Sequence, residues 1–476
     1  MRKCLLLIMF ACALSACSEY KVSDDPTLRL AFSTDTVCFD TVFTEQGSAT
    51  AQLLVYNPNK NALVIDRVWF DQGTVFRVNI DGEADMAQLR NLTVYGGDSL
   101  FVFIRVHINP QHRNNPVLIT DALHFTLASG ESQQVVLEAY GQDVTRIRTK
   151  KGRSDFASYH FKADKPYLIY DTIVTGDLVF DAGARLYMHK NAGIYALGDV
   201  TAQGTREQPI VISGDRLDDL FDSVPYRFAA GSWNGIYLQA EGQQHYDLQY
   251  MDILSGNVGL YCTSERTCDL PTLNMKGCRI HNHALYGLVL LHTDAEVVNC
   301  EISNCASYCV YCQGGTHLFI HSTIASYFGW TNIRIQSVAK EDVAAVYIDN
   351  LSKEAPQTVC GFENCIITGS RRDQVVIATP MDQYYPAIWR GNYLKCDTLD
   401  IPHATHNVYW QETDTNAVFV NDFYKYKEYI YYDFHPDSVS PARGIGDPDV
   451  AASYPKDREG NDRTISPDAG CYQYQP

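Results

Sequence analysis

Gly277-Cys278-Arg279-Ile280, Asn299-Cys300-Glu301-Ile302 and His321-Ser322-Thr323-Ile324 return at a spacing of 22 residues, each run ending in Ile. Ile253, Ile367 and Leu394 extend the series at intervals of 27, 43 and 27 residues, the 43 reading as close to two beats. A period in this range means stacked supersecondary units, each too small to bury its own apolar face. Apolar and polar residues alternate between turn signals, which makes the units strands and not helices. Two residues after each apolar mark stand Ser255, Asn282, Asn304, Ser326 and Gly369, all tolerant of tight turns. Tyr286, Tyr308 and Trp330 keep the same spacing further on. Like residues should therefore lie above one another, with strands about 4.8 Å apart.

On these residues the chain resembles the right-handed parallel β-helix of the pectin-lyase-like superfamily. The resemblance implies an interior filled by ladders of Ile, Val, Leu and Cys, and turns bridged by Asn or Ser stacks. Upstream runs fit the same plan: Ile173-Val174, Leu178-Val179-Phe180, Gly193-Ile194-Tyr195 and Ile210-Val211-Ile212, with Trp233 to Leu238 opening the most regular stretch. Roughly twelve coils are expected between residues 165 and 430. Residues 338–358 read as one projecting loop or irregular coil, and the β-helix as a whole as 146–435.

The amino terminus points to export. Arg2 and Lys3 precede an apolar run from Cys4 to Leu14 that is too short to be retained as a membrane span. Leu14-Ser15-Ala16-Cys17 resembles the bacterial lipoprotein cleavage box, which implies a signal peptide over 1–16, a lipid on Cys17 and a tether over 17–27. Acyl chains at about 0.8 kcal/mol per buried methylene would hold such a protein on a membrane. The expected location is the outer membrane, on its periplasmic or outer face. With 38 basic against 56 acidic residues the net charge is −18, which argues against nucleic acid as a partner. Tyr is abundant at 31 residues, a composition met in sugar-handling proteins and in β-rich folds alike.

Residues 28–145 follow another plan. Ala51–Tyr56, Leu63–Phe70, Leu100–Val106 and Gln134–Ala139 read as strands between Asn-Pro and Gly-Gly turns. About seven strands in this length suggest an immunoglobulin-like sandwich, capping the open edge of the first coil. At the other end, residues 436–476 resemble the closing segment of bacterial β-helix proteins, with Ser440-Pro441-Ala442 and Pro467-Asp468-Ala469-Gly470-Cys471-Tyr472 packing on the last coil. Its aspartates are irregularly spaced beside Arg443, Arg458 and Arg463, so turn hydrogen bonds and ion pairs are expected there and not calcium.

Chemistry is sparser. The outward column before the repeating Ile reads Asp252, Arg279, Glu301, Thr323 and Ile366, unlike charges on neighbouring strands that could contact a glycan or simply pair with each other. Arg371 and Arg372 form a second candidate contact for an anionic sugar. Tyr286, Tyr308 and Trp330 make a platform for sugar rings if they face outward, or an interior ladder if they face inward. Cys262 and Cys268 flank a short insertion and are the disulfide candidates, whereas Cys278 and Cys300 should point inward as small hydrophobes. Cys309-Val310-Tyr311-Cys312 and His281-Asn282-His283 have metal-like spacing without a completing partner in the repeat, so no metal or cofactor is expected. No catalytic motif stands out. The function expected is glycan binding or scaffolding at the envelope, with a polysaccharide lyase or glycoside hydrolase acting on uronate-containing glycans as the alternative.

Overall fold

The computed structural model describes residues 20–149, 151–221, 224–328, 343–351, 358–378, 388–397, 404–423 and 431–476. The chain divides into two compact units, 1–143 and 144–476. Both are built almost wholly of strands.

The first unit has two sheets over one core. Ala31–Phe32, Ala51–Tyr56, Ser99–Val106 and Phe76–Ile80 form a four-stranded antiparallel sheet. Thr36–Phe43, Ser132–Gln142, Val117–Leu127, Leu63–Phe70 and Arg90–Val94 form a five-stranded sheet, in which Thr36–Phe43 runs parallel to its neighbour. Alternating residues such as Leu53, Val55, Phe76, Ile104, Phe125 and Leu137 are fully buried between them. Nine strands are present where about seven were expected. The Asn57-Pro58 turn is tied down by Asn57, whose Nδ2 donates to the carbonyls of Asn61 and Val94 at 2.8 and 3.0 Å.

In the second unit the chain visits three rows of strands in turn. The first row is an eleven-stranded parallel sheet running from Thr145–Ile147 to Val408–Tyr409. The other two rows share one sixteen-stranded sheet, joined through the long strand Thr172–Phe180. The second row contains Gly193–Ala196, Gly235–Ala240, Leu260–Ser264, Leu288–Leu291, Val310–Gln313, Val346–Asp349 and Val375–Ala378. The third contains Val200–Gln203, His245–Gln249, Thr272–Lys276, Asp294–Val298, Gly315–Ile320, Thr358–Glu363 and Trp389–Arg390. Each strand pairs in parallel with its counterpart one turn of the chain later, a topology compatible with a parallel β-helix.

Side-chain chemistry sets this register. Ile212, Ile253, Ile280, Ile302, Ile324, Ile367 and Leu394 stand directly above one another and are fully buried. Each such side chain stabilises by about 1.5–3 kcal/mol relative to exposure, and a slip by one residue would turn the ladder outward. The corners are left-handed. Tyr250, Gly277, Asn299, His321, Asn364 and Gly391, at φ between 44° and 65°, precede successive first-row strands, and Ser255, Asn282 and Asn304, at φ between 53° and 66°, lie at or near the strands' far ends. Gly277 has a second reason to lack a side chain, since a Cβ there would come within 2.7 Å of the Tyr250 ring. Beside these corners runs an inward polar ladder: the amides of Cys278, Cys300, Ser322 and Cys365 donate to Cys300 Sγ, Ser322 Oγ, Cys365 Sγ and Asn392 Oδ1 in turn. Cys278 and Cys300 thus face inward as expected, with an accepting role added.

Two expectations are corrected here. Ile324 pairs directly with Ile367, so the interval of 43 residues is one enlarged coil and not two beats. Within it, Val346–Asp349 is a regular second-row strand between Val310–Gln313 and Val375–Ala378, so of the two readings of 338–358 the described part fits an irregular coil and not a projecting loop. The carboxyl segment also behaves differently from a cap on the last coil. It runs back along the outer side of the first row, with Gly470 N donating to Asn364 O, Cys471 N to Thr323 Oγ1, Tyr472 OH to Glu301 Oε2 and Arg458 Nη2 to Asp252 Oδ1 at 2.7–3.0 Å. Its aspartates are spent on local bonds: Asp447 caps the helix Pro448–Ser453, Asp457 accepts from the amides of Glu459 and Asn461, and Asp468 from those of Gly444 and Tyr474.

Candidate functional site

The second row carries a strip of tyrosines interrupted at one coil. In Gly193–Ala196, Gly235–Ala240, Leu260–Ser264, Val310–Gln313 and Val346–Asp349 the residue between two buried neighbours is Tyr195, Tyr237, Tyr261, Tyr311 and Tyr347, all at one register, with Val289 filling the remaining coil. Alternation in a strand puts these rings on the outer face, and each is half-buried against its neighbours. Tyr286 and Tyr308, from the turns that enter the second row, lie against each other and beside Tyr311, and Tyr308 also meets Tyr347. Ring centroids are 4.5 Å apart for Tyr195–Tyr237, 5.8 Å for Tyr237–Tyr261, 6.3 Å for Tyr286–Tyr308, 4.8 Å for Tyr308–Tyr347 and 5.4 Å for Tyr311–Tyr347. Tyr195–Tyr237 and Tyr311–Tyr347 are nearly parallel, at 8° and 4°.

The expected pair Tyr286 and Tyr308 is therefore part of an outer strip and not an interior ladder, while Trp330 lies outside the described residues. Five tyrosines of the strip were not singled out from sequence. Their signal was present as a repeated apolar-Tyr-apolar triplet, as in Ile236-Tyr237-Leu238 and Val346-Tyr347-Ile348.

Two residues after each ring a second outward column runs alongside: Gln239, Thr263, Leu291, Gln313 and Asp349. Asp349 Oδ2 accepts from Tyr311 OH at 2.8 Å and from Gln313 Nε2 at 3.1 Å. Burial, the bond to Asp349 and that carboxylate's charge push the Tyr311 hydroxyl up, so it stays a neutral donor. Burial and the neighbouring Tyr195 push Tyr237 up to about 12. Where the rings stack at 4.5 and 5.4 Å their faces turn to one another, so the strip offers ring edges and hydroxyls flanked by uncharged donors and acceptors, with Asp349 as a carboxylate bonded into it.

The charged column is not open in this way. Glu301 is only 2% exposed; its Oε1 accepts from Arg279 Nε at 3.0 Å and Ser303 Oγ at 2.7 Å, and its Oε2 from Tyr472 OH at 2.7 Å. Burial pushes the Glu301 carboxyl up, but Arg279, His281 and the hydroxyls of Tyr472 and Ser303 outweigh it and hold it at about 2. His281 lies 3.7 Å from Glu301 and is pushed down to about 3 by burial and by Arg279. The expectation that Arg279 and Glu301 face a glycan is corrected for Glu301, which the carboxyl segment covers through Tyr472; Arg279 keeps 31% of its side chain exposed but is tied to Glu301 at 3.0 Å. An acid pair for a hydrolase or a base for a lyase would have to work beneath that segment, so the enzymatic alternative gains no support from this column. Arg372, for its part, is engaged by Glu412 at 2.9 Å and Asp397 at 3.1 Å, and the Arg371 carbonyl accepts from Gln374. An exposed pair of this kind is worth little, and it leaves Arg372 already matched by two carboxylates.

The cysteine expectations also change. All twelve described cysteines are thiols. Cys262 cannot reach Cys268, because it points inward between Leu238 and Leu290 while Cys268 is exposed in the insertion. Cys309 and Cys312 do not act as one motif either. Cys309 sits beside Cys305, whereas Cys312 sits with His317 and Cys360, all three buried and with ligand atoms within 4.8 Å of one another. The expectation of no metal-ligating cluster is thereby corrected; the completing residues come from two neighbouring third-row strands. Cys17 lies outside the described residues, and among those described no helix is long and apolar enough to cross a membrane.

No family model matches the chain, and no curated protein matches it. Solved structures with partial likeness include the VesB protease of Vibrio cholerae (16% identity, TM-score 0.17), covering 24% of this chain and 31% of that one. The secreted serine protease VesC of Vibrio cholerae shows 12% identity and a TM-score of 0.19, covering 26% and 25%. A family 123 glycoside hydrolase from Clostridium perfringens shows 7% identity and a TM-score of 0.19, covering 27% and 30%. The chain spans less than a third of the length of each of these structures.

Proposed function

We propose that this chain is an exported, lipid-anchored protein of the bacterial envelope whose right-handed parallel β-helix binds glycans along the tyrosine strip, with an immunoglobulin-like sandwich as spacer. The observation that carries the reading is the strip itself. Seven tyrosines lie side by side on one outer face, with the amide and hydroxyl groups of Gln239, Thr263 and Gln313 beside them. Sugar rings present apolar faces and equatorial hydroxyls, and a row of aromatic edges and phenol hydroxyls with adjacent hydrogen-bonding groups can meet both. The acidic net charge favours neutral glycans over polyanionic ones.

Changing Tyr311 and Tyr347 together to Ala should weaken polysaccharide binding by about 1–3 kcal/mol, by analogy with ring stacking on aromatic side chains. Both rings stand outside the core, so the melting temperature should fall far less than for a core truncation. Affinity electrophoresis or calorimetry against neutral and uronate-containing polysaccharides, paired with a thermal melt, reads both effects. Unchanged affinity in the double variant would remove the strip from the reading.

The anchor has its own test. Cys17→Ala should release the protein from the membrane fraction or leave its precursor uncleaved, because the thiol is the lipid acceptor. Fractionation with a blot for the mature form decides it, and a membrane-bound, processed Cys17→Ala protein would exclude lipidation at this residue.

A further inference from the structure

We propose that Cys312, His317 and Cys360 form an interior site for one thiophilic divalent cation of the zinc class. The three side chains come from three strands of adjoining coils. Cys312 ends the inward face of Val310–Gln313, the chain turns at Gly314, and His317 faces inward from Gly315–Ile320. Cys360 stands directly beside His317 on the next coil, in Thr358–Glu363. Their ligand atoms lie within 4.8 Å of one another, close enough for one ion bonded at 2.0–2.3 Å to reach all three with small rotamer changes.

The imidazole makes this more than a cluster of buried thiols. His317 is 1% exposed, and neither Nδ1 nor Nε2 has a well-formed hydrogen bond. Most buried polar groups find strong partners, and among the described residues this ring has only the neighbouring Cys312 thiol, a weak one. Its neighbours among the inward positions of the same row include Ala295, Val297, Phe319 and Phe362, so an apolar residue at 317 would fit the pattern. His283, also buried, shows the ordinary arrangement: its Nδ1 accepts from Gly256 N–H at 3.2 Å and its Nε2 lies 3.0 Å from Ile253 O.

The donor set selects the cation. Two sulfurs and one nitrogen exclude calcium and magnesium, which need oxygen. Binding releases the two thiol protons to solvent, and the resulting thiolates cancel the charge of a divalent ion, so a neutral unit is left in the apolar interior. Three protein ligands with a fourth position open is a coordination that zinc adopts. The ion would tie two adjacent coils at the corner between the second and third rows.

The test uses the full mature chain, purified with reductant, its metal content measured, and then refolded from denaturant with Co(II) as the probe. The expected result is about one zinc per chain as isolated and a thiolate-to-cobalt charge-transfer band after refolding. His317→Gln should lower Co(II) affinity by about tenfold or more, and Cys312→Ser should abolish the band. A folded wild-type chain with twelve reduced thiols, no retained metal and no cobalt band would overturn the site. So would a Cys312–Cys360 disulfide in the mapped native protein. Should both variants fail to fold, the wild-type band and stoichiometry still decide.

Discussion

Ile302→Asp should unfold the coils around position 302 and not merely soften one site. Ile302 is fully buried between Ile280 and Ile324, in register with both, and the alternating face around it offers no partner for a carboxylate. An unpaired charge there forfeits the burial of the side chain, about 1.5–3 kcal/mol, and adds a desolvation penalty of several kcal/mol, relieved only if the residue stays protonated or turns outward. Turning outward is a register slip, which would expose the neighbouring ladder positions as well. Because each coil buries the next, the loss should spread along the stack. Urea denaturation and soluble yield measure it. A well-expressed Ile302→Asp protein with an unaltered midpoint would mean that residue 302 is not in the interior.

The second large effect expected is loss of stability on acidification, beginning near neutrality. Burial and Arg279 hold His281 down at about 3, burial holds His283 at about 4, and burial and Arg463 hold His321 well below its ordinary value. In the unfolded chain all three titrate near 6.5. Between these limits the unfolded state binds more protons than the folded one, so stability must fall as pH falls. It is unaffected above about pH 6.5, declines by up to about 1.4 kcal/mol per pH unit for each histidine, and levels off once the folded-state values are passed. Glu301 adds an adjoining window: its carboxyl is depressed to about 2, so its contribution is complete above the ordinary glutamate range and is lost only as pH falls toward that value. The free energy of unfolding at pH 7, 6, 5 and 4 should therefore drop steadily, by several kcal/mol in all, with His435, where burial is outweighed by Asp433 and Glu459, which raise its value, offsetting part of the loss. Equal values at pH 7 and pH 5 would mean that these histidines are hydrated or charged in the folded protein.

Legibility in the sequence followed separation along the chain. The Ile ladder, its turn residues and the inward thiols Cys278 and Cys300 could be read directly, because one coil places like residues at a nearly fixed interval and the pleat fixes which of them face inward. The interval between Ile324 and Ile367 misled because an insertion lengthens a coil without changing its pairing, and counting residues cannot distinguish that from two coils. The tyrosine strip was half visible. Tyr286 and Tyr308 repeat at the beat of the turns, but Tyr195, Tyr237, Tyr261, Tyr311 and Tyr347 sit on strands at unequal spacings and align only through the hydrogen-bond register. What failed depended on distant contacts. Glu301 reads as solvent-facing from its register, yet Tyr472, 171 residues away, is bonded to it. Cys312 seemed to belong with Cys309, yet its neighbours are His317 across a turn and Cys360 on the following coil. Cys262 looked like half of a disulfide on spacing alone, and alternation within Leu260–Ser264 turns it into the core.

On the proposed function, the tyrosine strip serves as one platform for a polymer, spanning the coil at Val289. From the strand of Tyr195 to that of Tyr347 there are six coils, and at about 4.8 Å per strand the platform extends on the order of 24 Å. The direct measurement is a calorimetric titration with a length series of oligosaccharides from whichever polysaccharide binds. The account predicts affinity that rises with each added sugar until the strip is covered and then levels off, with Tyr195→Ala and Tyr347→Ala each shortening the length at which it levels. Affinity that is independent of length, or no binding by any oligomer of the series, would contradict it.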